Sequence, residues 1–115
     1  MNKLQKLYLE LIKLTQFNSL NGKQIYNDLL ENEDIWDAVF LKDSDSLITL
    51  RDLPEGFHNV STLYILTTED KLVDLMPFVH DWSPDDVNVY KKDEVTLLLG
   101  IGNPGDKVII ELWWD

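Results

Sequence analysis

The sequence predicts an α+β domain in which N-terminal helices precede a five-stranded mixed sheet, with one helix between strands two and three. Three observations carry this expectation. Apolar residues recur at helical spacing through residues 3–41. After residue 47 the period changes, and runs rich in β-branched and aromatic residues take over. The stretch Thr62–Trp82 contains both patterns. Its Leu63-Tyr64-Ile65-Leu66 is apolar on both pleat faces, as a strand covered on both sides would be. Thr67-Thr68-Glu69-Asp70 then supplies capping hydroxyls and carboxylates for a helix's positive end. Leu72, Leu75, Met76 and Val79 follow on one helical face.

Taken in order, residues 3–17 read as a first helix, with Leu4, Leu7, Leu11 and Leu14 alternating by three and four and with Tyr8 and Ile12 widening the stripe. Two heptads are fewer than a coiled coil needs, so the stripe reads first as a face docked on the domain's own core. Asn18-Ser19 breaks the pattern. Asn21 and Gln24 form a capping box, and Leu20 and Ile25 a hydrophobic staple, for a second helix that presents Ile25, Tyr26, Leu29 and Leu30. Asp34 is a cap for a short third helix, Ile35–Leu41, and Lys42–Ser46 is a polar turn.

Leu47–Leu53 reads as strand one, Pro54–Asn59 as a loop, and Thr62 onward as strand two with the helix after it. Pro77 removes a backbone hydrogen bond inside that helix, which predicts a break with Phe78–Trp82 as a separate turn. Ser83-Pro84-Asp85-Asp86 has the form of one more helical start. Val87–Tyr90, Val95–Ile101 and Lys107–Trp114 read as strands three, four and five, the last two joined by a hairpin loop over residues 102–106. In the last strand Val108, Ile110, Leu112 and Trp114 share one face.

The chain of 115 residues is read as a single domain, 1–115, and its 44% hydrophobic content suffices for a core. It contains no cysteine, which excludes disulfides and thiolate metal sites. Its apolar runs are too short for a membrane span, and Met1-Asn2-Lys3-Leu4 lacks the start of a secretory signal, so a cytoplasmic location is expected. Net charge is −11. Residues 1–24 hold Lys3, Lys6, Lys13 and Lys23 against Glu10, a net of +3, and residues 25–115 carry −14. Such a surface disfavours direct nucleic-acid binding and suits a partner with a basic surface, as well as solubility.

No stretch carries a diagnostic catalytic motif. Gly100-Ile101-Gly102-Asn103-Pro104-Gly105 resembles a phosphate cradle only superficially, because it leads into a strand and lacks a Lys-Ser/Thr pair. His58, His80, Asp81, Asp85 and Asp86 are metal-ligating types without ligand spacing, and Asp43 and Asp45 match only two positions of a calcium loop. No metal and no cofactor are expected.

Tryptophan is the more informative residue type. Trp113 and Trp114 are adjacent in a strand and point to opposite faces, so one of them is a candidate surface anchor. The expected interface is therefore Trp36, Trp82, Trp113 and Trp114 with the acids Asp85, Asp86, Asp93 and Glu94. The functional expectation is a small acidic, non-enzymatic protein-binding module, an inhibitor or antagonist of a cationic macromolecule. The alternatives are a small enzyme or ligand-binding domain with a pocket of dispersed residues, and a homo-oligomer joined through helix one.

Overall fold

The central strand expected at residue 62 is present, and the fold is arranged around it. In the computed structural model, which describes residues 1–43 and 46–115, β4 (Thr62–Thr68) lies between β3 (Ala38–Leu41) and β6 (Lys107–Trp113), and β6 is flanked by β5 (Asp86–Lys91). Every pairing is antiparallel. β4 and β5 run in the same direction with β6 between them, and α4 (Glu69–Asp81) makes the crossover. A second sheet is the small hairpin of β1 (Gln16–Phe17) and β2 (Leu20–Asn21), which connects α1 (Lys3–Lys13) to α2 (Gly22–Glu31). Asn18 occupies the left-handed region at its turn, a conformation asparagine tolerates.

One sheet face is the core side. Leu63 and Ile65 of β4, Ile110 and Leu112 of β6, and Val39 of β3 pack with Leu9 and Ile12 of α1, Ile25 and Leu29 of α2, and Leu75 and Val79 of α4. Buried Thr67 sits on the same face, with its hydroxyl donated to the Ile35 carbonyl at 2.8 Å. Both predicted N-terminal helices form, the first ending at Lys13 and not at residue 17, because Gln16–Phe17 pairs with Leu20–Asn21. Asn2 caps α1 by accepting from the Gln5 amide, and Asn21 caps α2 by accepting from the Gln24 amide at 3.2 Å.

The expected five-stranded mixed sheet is not what forms, and helices alternate with strands instead of preceding them. The predicted third helix is a 3₁₀ turn, Glu33–Ile35, followed by β3; Trp36, Val39 and Phe40 are β-formers that fit a half-buried pleat better than a helical stripe. Predicted strand one is instead α3 (Ile48–Asp52) and a 3₁₀ turn, Leu53–Glu55. Predicted strand four is α5 (Asp93–Leu99): Asp93 and Glu94 lie in its positive first turn, three leucines propagate it, and Gly100 closes it at φ 67°. The hairpin expected over 102–106 is thus a helix-to-strand connection. The expected helical start at Ser83 does not form: Ser83 takes a left-handed φ of 53°, and the segment leads directly into β5 at Asp86.

Pro77 lies inside an α4 that continues to Asp81. The proline and Val73, four residues earlier, are both exposed, so the carbonyl left without its amide partner is on the water side. Ser44 and Asp45, from the expected polar turn and the weighed calcium pair, lie outside the described residues. No helix among the described residues is long and apolar enough to cross a membrane.

Candidate functional site

The second sheet face is where polar chemistry collects, and the register sets it out in rows. Thr62, Trp113 and Asp86 form one row across β4, β6 and β5. Phe40, Tyr64, Glu111 and Asn88 form the next, and Ala38, Leu66, Ile109 and Tyr90 the third. α5 packs over the Ile109 end, where Val95 is buried, and leaves the Trp113 end uncovered.

Glu111 is the hub of this face. It accepts from the Tyr64 hydroxyl at 2.7 Å, the Tyr90 hydroxyl at 3.1 Å and the Asn88 side-chain amide at 3.0 Å. Burial pulls its carboxyl upward, but the three donated bonds outweigh burial and hold it below the usual carboxylate range. It therefore carries a charge at neutral pH. Burial, and then the Glu111 carboxylate, push the Tyr64 hydroxyl up to about 12. Tyr90 is raised by the same two causes, with Glu94 and Asp86 adding to the negative field.

The four tryptophans separate sharply. Trp36, Trp82 and Trp114 are buried, and each indole N–H has a partner. Trp36 donates to the Leu29 carbonyl at 2.8 Å, Trp82 to the Asp28 carboxylate at 2.8 Å, and Trp114 to the Trp82 carbonyl at 3.1 Å. Trp113 alone is at the surface, 42% exposed. Asp86 lies directly across from it, and Glu111 is the next residue on its face. The Asp85 amide donates to the Trp113 carbonyl at 2.8 Å, and the Asp85 carboxylate accepts from the Asp115 amide at 2.8 Å. The Asn18 side chain donates to the Asp115 carbonyl and so ties this end to the small hairpin. One exposed indole thus has Asp86 across from it and Glu111 beside it on its face, while Asp85 and Asp115 hold the neighbouring backbone.

Of the expected interface residues, the structure brings together Trp113, Asp85 and Asp86. Asp93 and Glu94 are exposed in the first turn of α5, which begins after the end of β5 away from Asp86. Glu111, Tyr64, Tyr90, Asn88 and Asp115 were not expected at the site. The one available signal was a glutamate in the middle of an otherwise apolar strand, on the same pleat face as Trp113.

The metal-ligating types do not converge. His58 sits in the loop before β4, where its Nδ1 lies 2.8 Å from the Thr15 hydroxyl and burial lowers its pKa. His80 is exposed near the end of α4. Among the described residues no group of three His, Cys, Asp or Glu side chains could hold a metal ion. The chain matches no known protein family, no characterised protein and no solved structure.

Proposed function

We propose that the protein is a binding module for a protein partner with a basic surface, and that the acid-flanked Trp113 is the anchor. The reading rests on one observation: the exposed tryptophan among the described residues lies on an uncovered sheet face with Asp86 directly across from it and Glu111 next to it on the same strand face. An indole in that setting offers a lysine or arginine both ring-face attraction and carboxylate partners. It is also a residue type that dominates interface energetics. The net charge of −11 raises the encounter rate with a cationic partner, and Trp113 sets the residence time. A cytoplasmic location goes with this reading.

The test uses arginine- and lysine-rich peptides, with glutamate-rich peptides as controls, and follows Trp113 emission and its protection from a soluble quencher. Basic peptides are expected to bind and to protect Trp113. Trp113→Ala lowers affinity at least tenfold, about 1.4 kcal/mol. Asp85→Asn with Asp86→Asn chiefly slows association, and does so most at low salt. Equal affinity of wild type and Trp113→Ala for every basic peptide would remove this face from the interaction.

A further inference from the structure

The leucines that define helix one in the sequence are not its core face. Leu9 and Ile12 are buried, whereas Leu4 is 66%, Leu7 55%, Leu11 41% and Leu14 73% exposed. α5 repeats the arrangement: Val95 is buried, and Leu98 and Leu99 are exposed. Between the two helices runs an open apolar groove of about 460 Å³, lined by Leu4 and Tyr8 of α1, by Phe40 and Tyr64 of the sheet, and by Leu98 and Leu99 of α5. The leucine row continues from the lip of this groove.

We propose that this surface is the interface of a two-fold homodimer, in which α1 of each copy lies along α5 of the other, across the two grooves. Size supports a second copy as the occupant. The leucine row, Phe40, Leu98 and Leu99 together expose roughly 700 Å², close to the ~800 Å² per partner of a standard interface. α1 alone has 11 residues and cannot do this as a coiled coil. Charge supports the pairing of α1 with α5. Each copy carries −11, so two copies repel unless contact is made through the basic segment. α1 bears Lys3 and Lys6 at its start, whereas Glu10 and Lys13 near its end are engaged with Tyr26 of α2, and the first turn of α5 bears Asp93 and Glu94. A two-fold axis sets lysines against carboxylates twice. Pairing α1 with α1 would set lysines against lysines.

The experiment is sedimentation equilibrium of the intact chain from low to high micromolar concentration. The expected result is a species of twice the 13.4 kDa chain mass. Leu7→Gln with Leu11→Gln is expected to give a monomer with unchanged circular dichroism, because both side chains are exposed within one copy. Lys3→Glu with Lys6→Glu is expected to weaken the dimer at least tenfold, and adding Asp93→Lys and Glu94→Lys to restore it. A monomer at every concentration would overturn the proposal, as would a dimer indifferent to the leucine exchanges. A leucine-dependent dimer that the second charge reversal fails to restore would overturn the pairing of α1 with α5.

Discussion

The Gln5 side chain pairs with the backbone of Val39 as a neighbouring strand would. Its Nε2 donates to the Val39 carbonyl at 2.8 Å, and its Oε1 accepts from the Val39 amide at 3.1 Å. β3 is an edge strand, and this one carboxamide satisfies both edge groups of its central, buried residue while fixing α1 beside the sheet. Gln5→Ala leaves a part-buried donor and acceptor without partners, at a cost of about 1–3 kcal/mol. The expected outcome is a thermal midpoint several degrees lower, with greater aggregation on heating. Gln5→Glu keeps the acceptor but sets a carboxylate against the Val39 carbonyl, so its deficit should shrink on acidification. Unchanged midpoints for both variants would show that the edge is held by other contacts.

Gly22, the first residue of α2, lies against the backbone at the end of α1 and its exit. A Cβ there would stand 2.0 Å from the Ile12 carbonyl oxygen and 2.2 Å from that of Thr15, and the Gly22 amide donates to the Thr15 carbonyl at 3.1 Å. Both obstructing atoms are backbone, so relief requires the two helices to separate and the Leu9–Ile12–Ile25 contact to loosen. Gly22→Ala is expected to cost about 3 kcal/mol or more and to lower the thermal midpoint by roughly 10 °C. Gly102→Ala, whose Cβ would enter open space, is the control and should stay close to wild type. Equal midpoints for the two variants would disprove the close approach.

Elements with a redundant signal were legible in the sequence, and elements fixed by tertiary contacts were not. β4 and α4 combine an apolar run with helical spacing and both form, although α4 runs on to Asp81 through Pro77, where a break was expected. β5 and β6 have the β-branched residues and pleat alternation that a strand needs, and they are also present. The short apolar runs of residues 35–41, 47–53 and 95–101 fit either period, and their conformation is decided by what they pack against. The leucine row of α1 misled for a related reason. Its spacing is helical, but the core takes the adjacent arc with Leu9 and Ile12, so periodicity located the helix and not its buried side. At the site, Trp113, Asp85 and Asp86 could be named in advance. Their grouping with Glu111 depends on strand register, which no local pattern encodes.

The bond between Tyr64 and Glu111 makes stability depend on pH at both extremes. The Tyr64 hydroxyl is held at about 12 in the folded protein, above its ordinary value near 10. Its stabilisation is therefore complete below about pH 10 and is lost as pH rises from there through the folded value. Glu111 is displaced in the opposite sense, so its contribution is present above the ordinary carboxylate range and is lost as pH falls through its lowered folded pKa. Ultraviolet absorbance titration of the folded protein should show a tyrosine step near 12, which Tyr64→Phe removes. Glu111→Gln takes away the negative charge but leaves the hydroxyl buried. The step should then move toward lower pH and stay above 10, because burial is the larger cause. Denaturant melts of the same variant should lose less stability between neutral pH and pH 3 than wild type does, since the lowered carboxyl is gone. A tyrosine step that stays in place in Glu111→Gln would mean that burial alone raises Tyr64 and that the carboxylate does not act on it.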